Sequence, residues 1–292
     1  PDGLNAPPTG GYVPPPFPGR PCWPAAQGCR ILPDIFDEVE EDLRAERAQN
    51  AGSRHRRAAA RPGDRVMPDP LARNNVHTWG SGSPLVFGHG FGTDQRAWRF
   101  MTPAFEAGHR IVLYDHVGFG GSDIGGYDEE RHGSLEGYAQ DLVDLLDALG
   151  LRRVAYVGHS VGGMLGLLAS LRRPDLFSRL VLIGSSPRFV NDPPDYVGGF
   201  EAHEVEDILD LMERDQLAFA ETMAPLAMGA QSPAELVSDF SRGLQSLDPL
   251  VARRFGRLVF GIDRRTQLAQ VTVPTLVLQC RHDSIAPPSV GR

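Results

Sequence analysis

Cysteine is scarce in this sequence. Cys22, Cys29 and Cys280 are the only three in 292 residues. An odd, sparse count suits a reducing compartment, builds no disulfide framework and offers no metal-ligand cluster. Long apolar runs are missing as well. No stretch approaches the roughly 20 residues needed to span a bilayer, so no membrane association is expected. Positive charge is in deficit, with 29 Lys plus Arg against 37 Asp plus Glu and a net charge of -8. That balance argues against nucleic acid as a partner and against a basic membrane-binding surface. The N-terminus lacks a basic segment followed by an apolar one, so no secretion leader is expected. Together these deficits point to a cytoplasmic protein without metal or cofactor. The 41% apolar and 23% charged residues are ordinary for a globular chain.

Proline is plentiful, but unevenly placed. Residues 1–24 hold nine prolines, a composition that reads as disordered or polyproline-like. Cys22 and Cys29 fall at its edge and read as bystanders, not as a redox pair. Residues 34–48 read as a short charged helix with a narrow apolar stripe of Ile35, Phe36, Val39 and Leu43. Arg54, His55, Arg56, Arg57 and Arg61 make a basic patch that reads as a solvated linker. The composition changes near Met67, which is a candidate start. Residues 1–66 are therefore expected to be a Pro/Arg-rich leader.

From Met67 onward, short apolar strands alternate with helices. Strands are expected at Leu85–Phe87, Ile111–Asp115, Val154–Val157, Leu180–Ile183 and Thr275–Leu278. A helix is expected from Leu135 to Leu149, stopped by Gly150. Such alternation predicts an α/β fold with a mostly parallel sheet covered on both faces. Residues 188–262 break the pattern with helical stretches near 201–214, 216–224, 233–246 and 249–260. They read as a four-helix lid between two core segments, 67–187 and 263–292. Met212, Phe219, Met223, Leu226, Met228, Phe255 and Phe260 are candidates to line an apolar pocket or simply to join the lid helices.

The chemistry centres on Gly158-His-Ser-Val-Gly162. A β-rich run precedes it and a small, apolar helical run follows. This G-x-S-x-G in a strand–turn–helix setting projects Ser160 from a tight bend at a helix N-terminus. A serine hydroxyl there is a candidate nucleophile. Two backbone N–H groups would form the oxyanion hole: Val161, after the nucleophile, and Phe91, in the glycine-bearing loop His89-Gly-Phe-Gly92. Asp283 ends a later strand and is the candidate orienting acid. Asp115 also ends a strand but precedes the serine, the wrong order for Ser…Asp…His, and reads as structural. No histidine follows Asp283. His282 adjoins it, His159 is expected to turn into the fold, and His89 is expected to order its own loop.

These segments resemble the α/β-hydrolase subfamily of the bacterial sigma-B stress-response regulator hydrolase, to which the plant karrikin and strigolactone receptors are close. The likeness is carried by His89-Gly-Phe-Gly-Thr-Asp-Gln95, Leu113-Tyr-Asp-His-Val117, Gly137-Tyr-Ala-Gln-Asp141, Gly158-His-Ser-Val-Gly162, Ser186-Pro-Arg188, Asn191-Asp192, Gly198-Gly-Phe-Glu201 and Asp283-Ser-Ile-Ala-Pro287. It implies an eight-stranded sheet with a four-helix lid over an apolar pocket. It also implies that Ser160 and Asp283 are catalytic, with Phe91 and Val161 as oxyanion donors. In the family the catalytic histidine, the last strand and a closing helix follow later, so this chain is expected to lack them. The expected function is hydrolysis of a small apolar ester, lactone or enol ether, in stress or small-molecule signalling. Alternatives are a ligand sensor that recruits a protein partner on the lid, or a truncated, non-catalytic remnant. Losing one triad member leaves only residual catalysis. Residues 1–292 are therefore expected to hydrolyse a nitrophenyl ester far more slowly than a complete triad would, as read by nitrophenolate release.

Overall fold

A computed structural model describes residues 68–292. The leader, the charged helix at 34–48, the basic patch and Met67 lie outside the described residues.

Six strands form one sheet: β1 (His77–Gly80), β2 (Ser83–Gly88), β3 (His109–Leu113), β4 (Val154–His159), β5 (Phe177–Ile183) and β6 (Thr275–Leu278). Their order is β1-β3-β2-β4-β5-β6. β1 runs antiparallel to β3, and the other four pairings are parallel. The central strands are short apolar runs because both faces are covered. Side chains alternate across the sheet. Leu85 and Phe87 join Trp98, Ile111, Leu113, Ala155, Val157 and Val181 on one side. Val86, Tyr156, Leu180 and Leu182 join the larger core on the other.

That larger core is built by two helices that flank β4 in sequence. Helix α1 spans Leu135–Ala148, with Ser134 accepting a bond from the Gly137 N–H at its start. Its Leu135, Leu142, Leu145 and Leu146 are buried at helical spacing. Helix α2 spans Val161–Arg172 and is apolar nearly all round, as a helix packed on several sides should be.

Between β5 and β6 the chain inserts four long helices, α3 (Ala202–Arg214), α4 (Gln216–Met228), α5 (Ala234–Gln245) and α6 (Pro249–Phe260), followed by a single helical turn at Arg265–Leu268. Their positions follow the expected ones closely. The exception is α4, which continues through Pro225 to Met228. The two ends of the insertion meet. Arg188 bridges Asp263, the Arg264 N–H donates to the Pro187 carbonyl at 2.8 Å, and Arg265 pairs with Asp192 at 2.7 Å.

Two expectations need correction. Strand β1 was not anticipated: His77-Thr-Trp-Gly80 is four residues with no apolar alternation, and it is a strand only because β3 offers it an edge. The sheet also has six strands among the described residues, against the seven left when the last of the family's eight is taken away. β6 pairs with β5 alone there, and Thr275 and Val277 on it are exposed.

A buried charge cluster ties the start of this unit to α1. Asp141 accepts from Arg131 at 2.6 Å and His132 at 2.9 Å, and lies 2.8 Å from the Arg73 guanidinium. Arg73 and His132 are 1% and 0% exposed, so removing the anion strands a buried guanidinium and a buried imidazole N–H. Asp141→Ala should therefore cost about 3–5 kcal/mol, measured as a lower urea midpoint at unchanged slope.

Candidate active site

The bend between β4 and α2 is set by packing. Ser160 has φ 53 and ψ -125, a region that L residues rarely adopt. Its N–H donates to the Ile183 carbonyl at 2.8 Å, and its carbonyl accepts from Ser185 Oγ at 2.8 Å. Both bonds anchor it to the end of β5. The neighbouring glycines are required by close approach. A Cβ on Gly158 would lie 2.5 Å from the Gly163 backbone, and one on Gly162 would strike the His89 carbonyl. Beneath the bend, Tyr156 Oη donates to the Gly162 carbonyl at 2.8 Å and meets Tyr114 Oη at 3.0 Å. Burial holds both phenols well above their ordinary pKa, so they stay protonated.

The loop after β2 lies against the serine. A Cβ on Gly90 would sit 3.3 Å from Ser160 Cβ and 2.7 Å from His159 Nδ1. His89 is fully buried. Its Nδ1 reaches the Gly90 carbonyl at 2.9 Å, and its Nε2 meets the His116 N–H at 3.0 Å. A carbonyl only accepts and an amide N–H only donates, so the proton sits on Nδ1 and the ring is neutral. Burial pushes its pKa down to about 4, against weaker opposing pulls from the Gly90 bond and Asp94. His116 is held well below its ordinary value for the same reason.

Phe91 packs on Phe119, Phe219 and Phe255 with ring centroids 6.0–6.4 Å apart. Gly92, at φ 74, meets Leu244 and Gly243 of α5. Of the candidate pocket residues, Phe219 and Phe255 therefore reach the loop. Met212 packs on Gly256 and Phe260 on Phe189 and Phe200, joining helices instead. Leu226 is exposed.

Asp283 follows β6 and is half-buried. Its Oδ1 accepts from the Ile285 and Ala286 N–H groups, each at 2.9 Å. Its Oδ2 faces Gly184, 3.7 Å from where a Cβ would stand, and has only a long 3.5 Å contact from Gln279. The structure thus brings Ser160, the Phe91 loop and Asp283 to the carboxyl ends of β2, β4, β5 and β6, while Val161 opens α2 with a free N–H. Asp115 is committed elsewhere. It accepts from Gln95 twice, Asn75 and Gly121 at 2.7–3.0 Å.

His159 departs from expectation. It does not turn into the fold: part of it reaches solvent at the end of β4. Protein around the ring lowers its pKa, and the Asp283 carboxylate opposes that shift. His116 was read from the sequence only as part of the Leu113–Val117 segment. No local signal marks its partner, which lies 27 residues away. Among the described residues, no group of three or more His, Cys, Asp or Glu could hold a metal, and no helix is long and apolar enough to cross a membrane.

The sharp serine bend on a parallel sheet has a counterpart in known proteins. The model of the alpha/beta hydrolase fold matches residues 83–292, and the chain belongs to that family. Over 218 residues it is 46% identical to a strigolactone esterase of Arabidopsis thaliana, covering 74% of this chain and 81% of that one. It is 42% identical to a karrikin insensitive 2 receptor of Petunia hybrida, covering 75% and 80%. A solved hydrolase from Oleispira antarctica superposes with a TM-score of 0.75 at 39% identity, covering 78% of this chain and 85% of that one.

The neutral histidines make stability depend on pH. Unfolded His89 protonates near 6.5, whereas the folded side chain resists until about 4. The unfolded state therefore gains protons first as pH falls. Stability should be full above pH 6.5 and drop by about 3 kcal/mol for His89 by pH 4. Guanidinium unfolding across that range measures it, and a flat profile contradicts it.

Proposed function

We propose that this protein is a serine hydrolase for a small apolar ester, lactone or enol ether, acting in the cytoplasm. The observation that carries the reading is the position of Ser160: strained at φ 53 and seated against Gly90. In this reading Ser160 Oγ attacks the electrophilic carbon. The Phe91 and Val161 amides hold the oxyanion, each such donor being worth about 10²–10³-fold in rate. Asp283 Oδ2, with little else to bind, orients the base. Helices α3–α6 act as a lid, and the phenyl rings around Phe91 supply the apolar wall.

The reading names no base among the described histidines. His89 and His116 are neutral and bonded to each other's backbone. His132 binds Asp141 and His77 binds Gln95. A nitrophenyl ester tests the nucleophile directly, because nitrophenolate leaves without needing a proton. Incubation with nitrophenyl acetate should place one acetyl group on Ser160, seen by peptide mass spectrometry. Ser160→Ala should lose the label. Acetylation spread over other residues instead would sink the assignment.

A second reading is a ligand sensor with a protein partner on the lid. It is favoured by the seating of Gly243 on the Gly92 carbonyl, which links α5 to the loop beside Ser160. The relatives named as receptors give it weight. A ligand that raises Tm equally in Ser160→Ala supports sensing without turnover.

A further inference from the structure

We propose that His116 is a positioning residue that sets the Phe91 amide, by gripping His89 at two points. The proposal rests on Phe91 being an oxyanion donor, and its test is built to be read without turnover.

His116 stands just past β3, beside the loop that follows β2. Its backbone N–H donates to His89 Nε2 at 3.0 Å, and its own Nε2–H donates to the His89 carbonyl at 2.8 Å. The first bond fixes the His89 proton on Nδ1. That proton is then given to the Gly90 carbonyl at 2.9 Å, which Thr93 Oγ1 also reaches at 3.0 Å. The carbonyls of residues 89 and 90 are thereby both held. In a trans peptide the next N–H points opposite to its carbonyl. Tying the Gly90 carbonyl therefore aims the Phe91 N–H the other way. No acceptor for that N–H is found among the described residues.

Gly90 gives this loop little stiffness of its own, because glycine restrains φ and ψ weakly. A Cβ there would crowd Ser160 and His159, so the loop relies on hydrogen bonds, some of them from outside it. His116 is suited to supply it. It is 2% exposed, and Tyr114, Phe119 and Phe255 wall its ring at centroid distances of 5.2–6.4 Å. The preceding Asp115 fixes its backbone through four hydrogen bonds. A histidine serving only as core filling would not need both of its bonds to land on one residue, and that residue to hold the next carbonyl.

His116→Phe keeps the ring contacts and the backbone bond but deletes the Nε2–H. His116→Gln returns an N–H at similar reach. Hydrogen exchange on the full chain, followed by mass spectrometry, reads the loop directly. In His116→Phe, residues 89–93 should exchange about tenfold faster while α1, β4 and α2 change by less than about twofold. His116→Gln should restore the loop to within about threefold of the parent. Should His116→Phe fail to fold, His116→Met serves as the donor-free variant. An unchanged loop, a uniform acceleration everywhere, or no rescue by Gln overturns the proposal.

A second arm titrates phenylboronic acid, whose serine adduct carries an oxyanion. His116→Phe should weaken its Kd about tenfold, and His116→Gln should recover it. A parent chain that binds boronate no better than Ser160→Ala counts against the reading of Ser160, and the exchange result then decides on His116 alone.

Discussion

The backbone at Ser160 is the constraint on which the rest depends. An L residue held at φ 53 persists only where its surroundings leave no alternative. Here the surroundings are the end of β5, which takes the Ser160 N–H and returns a hydroxyl from Ser185. Gly158 and Gly162 are needed because α2 must fold back against β4 and against the carbonyl of His89. The tyrosine pair below holds the Gly162 carbonyl in turn. The strain is thus distributed over three strands and one helix, and local relaxation at the serine would break bonds in all of them.

The loop beside the serine is organised on the same plan, with rigidity borrowed from outside. Two buried, neutral histidines hold its carbonyls, and α5 presses on Gly92. The phenyl rings of Phe119, Phe219 and Phe255 fix the third side. Burial that keeps the imidazoles uncharged also keeps their hydrogen-bond directions fixed, since a proton gained on His89 Nε2 would face the His116 N–H. An environment of this kind is rigid: its dipoles keep fixed directions.

Much of this was legible from local pattern. Strands β2, β4 and β5 announce themselves as short apolar runs, and all four inserted helices fall within a few residues of the helical stretches expected. The glycine spacing around Ser160 marks the bend, and chain order separates Asp283 from Asp115. Other features escaped. Strand β1 has no pattern of its own and is made by its neighbour. Helix α4 outruns Pro225, where propensity alone would stop it. His159 was assigned to the interior, yet β4 ends so that it reaches solvent.

The sequence by itself determined the bend, the helices and the residue types at the site, because each depends on neighbours a few positions away. Glycines beside a serine, or leucines at helical spacing, act over one turn of chain. Tertiary structure alone decided which face of Asp283 stays open, which histidine carries its proton on Nδ1, and which aromatic rings back the Phe91 loop. These follow from contacts such as His89 with His116 or Gly92 with Gly243, between segments brought together by strand order and helix packing. A hydrogen bond is set by direction and distance in space, and a linear pattern carries neither.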